Sequence, residues 1–389
     1  MGIPRSQLNA FDLSNQRVFL RADLNVPLEG DRVINDYRLT ALLPTIDLIQ
    51  KKGGRIILAT HLGRPQKPSP TLSTKILVPW FVKKGYAVRF EPDLEKAVAL
   101  SHNSSEIILL ENLRFFSGEQ TDDQAFAQQL FKLGDYYVND AFALLHRRDS
   151  SITLLPRLFP AHKKTIGLLV EQELTNLARL REHPEQPFVV VCGGGKVHDK
   201  LPLLKAMLGK ATTILVNPAL VFTFLKAQGV TVGKSLIDPD SLASVTTLMN
   251  EAQTKGTRLV FPVDYQVALD SFEGALVDVD AAAIPQNGIG ITIGPKTAAL
   301  FAQEIQKAKT VFFNGLPGLW GRPATLEGAH AIFTAMAESE AFTVIGGGDS
   351  VAAVEKLGLA DRIGYCSTGG GATLAYLANE KLPGLDALN

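Results

Sequence analysis

Short runs of β-branched and other apolar residues recur along the chain, each followed by turn residues and then by a helical pattern. The first run is RVFLR at 17–21. The helical pattern after it places five leucine and isoleucine residues of the segment 39–49 on one face. Gly53 and Gly54 are expected to end this helix, and Pro44 is expected to kink it. The chain therefore opens with a strand and an amphipathic helix.

Nine further runs have the length and composition of buried strands. They are RIILAT at 55–60, EIILLE at 106–111, DYYVND at 135–140, PFVVVCG at 187–193, TTILVN at 212–217, TRLVFPVD at 257–264, KTVFFNG at 309–315, FTVIGGG at 342–348 and IGYCSTGGG at 363–371. Strands that alternate with helices predict parallel sheets covered by helices on both faces. Two sheets are expected, because twisted open sheets of about ten or more strands are uncommon.

The segment GLLVEQELTNLARLREHPEQP at 167–187 lies near the middle of the chain and predicts a helix that proline ends. Its leucines keep roughly helical spacing from Leu169 to Leu180. We interpret this helix as the connection between two α/β domains.

Length and composition agree with two domains and exclude several classes of protein. The 389 residues are 46% hydrophobic and 20% charged, which is typical of a globular protein with more than one core. The formal net charge is zero, so no overall basic excess favours nucleic acid or an anionic membrane. The two cysteines are far apart in sequence, which excludes a disulfide framework and fits a reducing cytoplasmic setting. No apolar run approaches the ~20 residues that span a bilayer.

The residues that follow the strands differ between the two halves. In the first half they are polar or basic: Asp23, Asn25, His61, Arg64, Arg114, His146, Arg147 and Arg148. In the second half they are glycine-rich: GGGK at 193–196, NGLPG at 314–318, GGGD at 346–349 and STGGG at 367–371. Arginine suits phosphate and carboxylate oxygens, and glycine lets backbone amides approach a phosphate. Because ligands of open α/β sheets bind beyond these strand ends, the pattern indicates an anion site facing a nucleotide site.

Each motif also has a plainer interpretation when it is taken alone. THLGRP at 60–65 fits a solvated loop, and Arg38 fits a surface arginine at a helix start. VIGGGDSVAAVEKLG at 344–358 fits either a helix cap after a flexible turn or a phosphate-binding turn with Asp349 aimed at Mg²⁺. The P-loop pattern is absent from CGGGKVHDK at 192–200, and GVTVGKS at 229–235 lacks its spacing.

Taken in order, these stretches resemble phosphoglycerate kinase along essentially the whole chain. The matching stretches are RADLNVP at 21–27, HLGRP at 61–65, ENLRF at 111–115, NDAF at 139–142 followed by His146 and Arg147, GGGKVHDK at 193–200, FPVD at 261–264, Asn314–Gly318, GGGDS at 346–350, STGGG at 367–371 and KLPG at 381–384. The order and spacing together make the resemblance specific, although each stretch alone is weak.

The resemblance implies an α/β fold of two Rossmann-like, three-layer α/β/α domains with parallel sheets, joined by a central helix and hinge. The implied segments are a phosphoglycerate-binding domain at 1–169, an interdomain helix at 170–183, a nucleotide-binding domain at 184–378 and a tail at 379–389 that returns to the first domain. The implied reaction is reversible Mg²⁺-dependent phosphoryl transfer, 1,3-bisphosphoglycerate and ADP giving 3-phosphoglycerate and ATP, in a cleft that domain closure completes. A cytoplasmic glycolytic monomer that binds neither nucleic acid nor membrane is implied as well.

The resemblance also implies roles for individual residues. Phosphoglycerate contacts are implied for Asp23, Asn25, Arg38, His61, Arg64, Arg114, His146 and Arg147. Nucleotide and phosphate contacts are implied for Gly195, Lys196, Lys200, Asn314, Gly318, Gly346, Gly347, Gly348, Asp349 and Ser350, with Asp349 on the side of the metal. The groups implied to act on the phosphoryl group in transfer are Arg38, Lys200, Gly348 and Gly371.

Several departures from the family pattern cluster around the implied nucleotide. Asn217–Leu220 replaces a run of glycines and a methionine, and its side chains are expected to crowd a base or ribose. Gly321 stands where a glutamate usually holds the ribose hydroxyls, and the proline of the Asn314–Gly318 stretch is displaced by one position. The milder changes are Gly195 for alanine, Ser350 for threonine, Ala143 for glycine and Asp149 for a second histidine. We therefore expect an active kinase with weaker or less selective nucleotide binding.

Two other functions are compatible with parts of the sequence. A non-catalytic or regulatory protein could keep this fold, although simple binding would not require Lys196, Lys200, Asp349 and Arg38 together. An NAD-dependent oxidoreductase could use doubly wound domains, but Val351 replaces the third glycine of the dinucleotide fingerprint.

Overall fold

The computed structural model describes residues 4–389, and the chain divides into two compact units. Unit 1 extends to Asn176 and includes Lys381–Asn389, and unit 2 comprises Leu177–Glu380. The division falls inside the helix that the sequence predicts at the middle of the chain. The domain limits inferred from the resemblance stay a prediction.

Helices and strands alternate through most of both units. The helices are α1 (Tyr37–Lys51), α2 (Val78–Lys83), α3 (Leu94–Ser101), α4 (Gln124–Phe131), α5 (Ser150–Thr153), α6 (Leu168–Arg181), α7 (Val197–Met207), α8 (Leu220–Ala227), α9 (Leu242–Thr254), α10 (Pro295–Gln306), α11 (Glu327–Glu338), α12 (Gly348–Lys356), α13 (Gly371–Leu377) and α14 (Pro383–Asp386). The strands are β1 (Arg17–Ala22), β2 (Leu28–Glu29), β3 (Arg32–Val33), β4 (Arg55–Ala59), β5 (Val88–Glu91), β6 (Ile107–Leu110), β7 (Tyr136–Asp140), β8 (Lys164–Ile166), β9 (Phe188–Cys192), β10 (Thr213–Val216), β11 (Arg258–Val260), β12 (Asp264–Leu269), β13 (Leu276–Asp280), β14 (Gly288–Ile293), β15 (Thr310–Asn314), β16 (Phe342–Gly346) and β17 (Tyr365–Cys366).

Unit 1 is built on a six-stranded parallel sheet in the order β5-β6-β4-β1-β7-β8. Successive side chains of a strand point to opposite faces, so both faces of β1 are apolar. Val18 and Leu20 join one buried cluster, and Phe19 joins another that includes Phe126 and Leu130 of α4. The predicted sheet with both faces covered is confirmed here, although the sequence did not reveal β5 and β8.

Unit 2 contains a second six-stranded parallel sheet in the order β11-β10-β9-β15-β16-β17. Every residue of β9, β10 and β15 is buried, as expected for a central strand of such a sheet. The α/β fold class with two parallel sheets is therefore confirmed.

A third sheet, the antiparallel order β13-β12-β14 in unit 2, was not predicted. The single strand expected at 257–264 is wrong, because β11 ends at Val260 and β12 begins at Asp264. Pro262 lies between them and cannot donate a ladder hydrogen bond. β13 also has no fully buried residue, so it lacks the apolar run that reveals the parallel strands.

The predicted end of the first helix is confirmed. α1 ends at Lys51, and Gly53 adopts a left-handed φ of 74°, where glycine has no steric penalty. Gly54 N–H then donates to the Ile49 carbonyl at 3.0 Å and satisfies a free helix-end group. Pro44 lies inside α1, within the helical segment that the sequence predicts.

The predicted central helix is present as α6, which ends at Arg181, shortly before Pro184. The C-terminal residues pack on unit 1: Gly384 N–H donates to the Leu145 carbonyl at 2.9 Å, and Lys164 Nζ donates to the carbonyls of Ala387 and Asn389 at 3.0 and 3.2 Å. Within residues 4–389, no helix combines the length and apolarity needed to cross a membrane.

Candidate functional site

The carboxyl ends of neighbouring strands position the predicted polar and basic residues of unit 1. Asp23 follows β1, His61 follows β4, Arg114 lies in a 3₁₀ turn after β6, and Arg147 follows β7. These four strands are adjacent in the order β6-β4-β1-β7, so the residues after them meet at one edge of the sheet.

Asp23 links several of these residues. Its carboxylate is buried and lies 3.1 Å from Arg38 Nη1 and 3.9 Å from His61 Nδ1. Arg38 Nη1 also donates to the Asn25 carbonyl at 2.9 Å, while Asn25 Oδ1 accepts from Gly63 N–H at 2.7 Å. The contacts bring Asp23, Asn25, Arg38 and His61 together, as the sequence predicted.

His61 is neutral at physiological pH. Its side chain is 3% exposed, and burial together with the charges of Arg21, Arg114, Arg38 and Arg147 lowers its pKa well below the usual 6.5. Nδ1 makes no hydrogen bond within the part of the chain that the structure describes. A buried imidazole with a free nitrogen, surrounded by arginines, can hydrogen-bond an anionic ligand.

Asp149 partly neutralises the arginines of this cluster. Arg147 Nε donates to both Asp149 oxygens at 3.1 and 3.2 Å, and Arg114 Nη2 lies 4.0 Å from Oδ2. Arg114 Nη1 also donates to the Gly63 carbonyl at 2.6 Å, while its Nε is buried without a partner among residues 4–389. Burial and the charge of Arg147 lower the pKa of Arg114, whereas Asp149 raises it. This aspartate therefore orients two predicted ligand-binding arginines and competes with a ligand for them.

Two predicted residues of unit 1 lie at the surface of this cluster. Arg64 and His146 are both exposed, Arg64 on the turn after His61 and His146 beside Arg147. Although His146 is exposed, the protein atoms around its ring displace part of its water, and this partial desolvation together with the charge of Arg147 lowers its pKa.

Sequence reasoning missed a fully buried pair beneath the cluster. Arg21 Nη2 lies 3.3 Å from Glu119 Oε1, and Ser151 hydrogen-bonds both side chains, at 2.7 and 2.6 Å. Burial raises the pKa of Glu119 despite the arginine beside it. The signal in the sequence was an arginine inside an apolar strand, which needs a partner when it is buried.

In unit 2 the predicted residues also gather at the carboxyl ends of strands. Asn314 at the end of β15 is in register with Cys192 of β9 and with Gly346 of β16. Asn314 Nδ2 donates to the Gly346 carbonyl at 2.8 Å, and Lys200 Nζ donates to Asn314 Oδ1. One buried asparagine thus connects the lysine of α7 to the glycine turn before α12.

The glycine turn after β16 leads directly into helix α12. Gly347 has a φ of 100°, Gly348 begins α12, and Asp349 is exposed in its first turn while Ser350 is buried. Three more predicted residues, Gly195, Lys196 and Gly371, are exposed at the starts of α7 and α13, and Gly318 takes a φ of 98° in the loop after β15. The site residues of unit 2 are therefore grouped by the strand ends, while Asp349 and Lys196 remain open to solvent.

The turn 217–220 differs from the sequence expectation. Three of the four residues in this turn are buried, namely Asn217, Pro218 and Leu220. Of the turn 217–220, only the half-buried Ala219 could therefore crowd a ligand. The side-chain amide of Asn217 makes no hydrogen bond within residues 4–389, and a Cβ at Gly193 would lie 2.7 Å from Asn217 Cβ. Gly321 is exposed, and a Cβ there would meet no atom within 4 Å.

Comparison with known proteins agrees with this arrangement. Residues 8–380 match the family described as phosphoglycerate kinase. The chain is 39% identical to a phosphoglycerate kinase of Koribacter versatilis over 393 residues, 97% of each chain, and 42% identical to one of Rubrobacter xylanophilus over 392 residues, 97% of this chain and 96% of that one.

Solved structures give the same result. The phosphoglycerate kinase of Coxiella burnetii superposes with a TM-score of 0.83 at 33% identity, covering 98% of this chain and 97% of that chain. That of Pyrococcus horikoshii gives 0.82 at 29% identity, covering 99% and 98%. The chain therefore belongs to the phosphoglycerate kinase family.

Proposed function

We propose that this protein is a phosphoglycerate kinase that transfers a phosphoryl group reversibly between 1,3-bisphosphoglycerate and ADP, with Mg²⁺, giving 3-phosphoglycerate and ATP. The observation that carries the proposal is the contact of Lys200 with Asn314, whose amide holds the Gly346 carbonyl. It sets a cation beside a glycine turn that leads into a helix, where phosphate oxygens bind favourably. The cluster around Asp23 supplies a second anion site in unit 1.

The two clusters would have different tasks. Arg38, Arg114 and Arg147 would hold the phosphate and carboxylate of the phosphoglycerate, and neutral His61 would contribute a hydrogen bond. Lys200 would offset charge on the transferring group, as would Arg38. The nucleophile is a carboxylate or phosphate oxygen that is already ionised, so the reaction requires no general base.

Asp349 is the residue that would hold Mg²⁺. No group of three or more histidine, cysteine, aspartate or glutamate residues within 4–389 could hold a metal by itself. This fits Mg²⁺, which proteins usually bind through one or two carboxylates together with substrate phosphates and water. The exposed position of Asp349 in the first turn of α12 leaves its carboxylate accessible for that role. When bound, the ion would neutralise phosphate charge.

The proposal includes the domain limits given above and a closing motion of the two domains that brings the substrates together and excludes water. It also includes a cytoplasmic monomer. Two free, buried cysteines support the reducing compartment. Light scattering in solution tests the monomer and should return a mass near 42.0 kDa.

Turnover of 3-phosphoglycerate with a panel of Mg-nucleotides, measured by a coupled assay, tests the function. We expect turnover with ATP that depends on Mg²⁺ and falls in Lys200→Ala. Absence of turnover at millimolar nucleotide would favour a non-catalytic phosphoglycerate- or nucleotide-binding protein instead. Binding of both ligands without turnover would distinguish that outcome from a misfolded preparation.

A further inference from the structure

Unit 2 contains a cavity of about 510 Å³ whose lining includes none of the residues assigned to the proposed kinase reaction. It lies between the antiparallel sheet β13-β12-β14 and the helices α10 and α11. Its volume falls within the range of about 300–1,000 Å³ that is usual for small-molecule sites.

A row of polar side chains crosses the sheet at the floor of this cavity. Gln266 of β12 is opposite Asp278 of β13 and opposite Thr292 of β14, so the three side chains share one face. Gln266 Nε2 lies 3.5 Å from Asp278 Oδ1, which directs the amide oxygen away from the carboxylate. Beyond the bulge that follows Gln266, the cross-strand pair Ala268 and Ile289 belongs to a separate apolar cluster.

Two acceptors on this floor are buried and unpaired. Thr292 is 2% exposed, and neither its Oγ1 nor Gln266 Oε1 makes a hydrogen bond to any group of residues 4–389. Gly328 at the start of α11 faces the hydroxyl, because a Cβ there would lie 3.1 Å from Thr292 Oγ1. Because residue 328 has no side chain, only its backbone lies against the hydroxyl. Buried polar groups are normally paired, so two unpaired atoms in one cavity indicate a missing partner.

The charged side chains around the cavity indicate whether the missing partner is an anion or a cation. The lining contains two exposed carboxylates, Asp278 and Glu327, and among the described residues that form it there is no lysine, arginine or histidine. The N-terminal amides of α10 are not available to an anion, because those of Lys296 and Thr297 donate to Asp264 at 2.9 and 2.8 Å. The site therefore favours a cation that donates hydrogen bonds.

Small apolar side chains form the opposite wall. They are Ala298, Ala299 and Ala302 of α10 and Ala331 of α11. Alanines leave room against a hydrocarbon group, and a ligand with one apolar end and one cationic end would contact both kinds of surface.

We propose that this cavity binds a small organic ammonium ion. The ammonium group donates to the unpaired oxygens of Gln266 and Thr292, the carboxylates at the mouth supply the opposite charge, and the hydrocarbon body packs on the alanine wall. The site is separate from the proposed kinase chemistry and does not depend on it.

Titration of the full-length protein with 4-fluorobenzylamine, followed by ¹⁹F NMR without nucleotide, tests the proposal. We expect saturable binding in the millimolar range. The matched probes 4-fluorobenzyl alcohol and 4-fluorobenzoate should bind at least about fivefold more weakly, since each lacks the ammonium charge. Equal binding of the alcohol or the benzoate, or no saturable binding of the amine up to tens of millimolar, would overturn the proposal.

Three substitutions locate the probe. Ala302→Leu fills the alanine wall and should weaken binding at least about tenfold, whereas Gln303→Leu, an exposed residue outside the lining on the same helix, should leave it unchanged. Thr292→Val keeps the shape, removes the hydroxyl and should weaken binding about fivefold. Undiminished binding to both Ala302→Leu and Thr292→Val would place the probe elsewhere. Retained 3-phosphoglycerate turnover in the two leucine variants verifies their folding. If a variant fails to fold, the comparison of the amine with the alcohol and the benzoate in the unaltered protein still tests the proposal.

Discussion

Asp140, at the carboxyl end of β7, is a fully buried carboxyl whose charge should make unit 1 sensitive to pH near neutrality. Its Oδ1 accepts the Val170 N–H in the first turn of α6 at 3.0 Å, and its Oδ2 has no partner within residues 4–389. Burial raises the pKa of Asp140 from 3.8 to about 7, against the opposing effect of hydrogen bonds from Thr45 and from the amides of Val170 and Leu169. Asp140→Asn keeps the shape and removes the titration.

The direction of the effect follows from proton linkage. Between pH 3.8 and about 7 the folded state holds a proton on Asp140 that the unfolded state has lost, so the stability falls as the pH rises. At 1.36 kcal/mol per pKa unit, the shift corresponds to about 4 kcal/mol that is present below pH 3.8 and is lost as the pH rises through about 7. Between pH 5 and pH 8 the loss is roughly 2–3 kcal/mol.

Urea unfolding at pH 5, 6, 7 and 8 measures this loss. The chain has two tryptophans, and Trp320→Phe leaves Trp80, in α2 of unit 1, as the fluorescent reporter. The difference in unfolding free energy between the aspartate and asparagine proteins should change by roughly 2–3 kcal/mol from pH 5 to pH 8, in favour of asparagine at high pH. Any pH-independent cost of the new amide cancels in that comparison.

Asp31→Asn serves as the control for this measurement. Asp31 is exposed on the turn between β2 and β3, so its replacement should give the same difference in unfolding free energy at every pH. If Asp140→Asn also gives a difference that does not depend on pH, the buried carboxyl does not titrate near neutrality and the reasoning fails.

Three further predictions concern the proposed reaction. Gly321→Glu should lower the KM for ADP about two- to tenfold by restoring a hydrogen bond to the ribose. The neutral control Gly321→Gln should lower this KM less, and equal KM values in all three proteins would contradict the prediction. Lys200→Ala should lower kcat more than it raises the nucleotide KM, and an effect on KM alone would exclude its action on the moving phosphoryl group. Asp149→Asn should lower the KM for 3-phosphoglycerate roughly two- to fivefold by freeing Arg147, with ADP as the unaffected control substrate; a higher KM would show that orientation of the arginine matters more than its charge.

The sequence predicted the parts of the fold that depend on continuous burial. Strands such as β9 and β15 are buried on both faces, so their apolar runs are visible without any knowledge of their neighbours. The antiparallel sheet was not visible, since β13 has no buried residue and glycines interrupt β14. The bulge between Gln266 and Val267 also shifts the register of β12 against β14, which disrupts any alternating pattern.

The residues of the candidate site also divide into those that the sequence could predict and those that it could not. Asp23 and His61 were predictable because they follow strands, and the ends of parallel strands share one edge of a sheet. Glu119 was not predictable, because its partner Arg21 is 98 residues away and only the folded chain brings them together. The burial of Asn217 and Leu220 was missed for a related reason: a sequence comparison shows that the residues changed but not which way the new side chains point.

The two departures from the family pattern, Gly321 and the turn 217–220, should affect different kinetic properties. Gly321 should affect the affinity for every nucleotide, and the turn should affect the preference between bases, so kinetic measurements can separate them. The ribose is common to all nucleotides, so the missing carboxylate at Gly321 should weaken ADP and GDP by the same factor. Discrimination between bases depends instead on the residues that contact the base, and in the turn 217–220 only Ala219 is partly exposed. A KM raised equally across the nucleotide panel would thus assign the weakness to Gly321, whereas a change in the ratio between nucleotides would assign it to the turn.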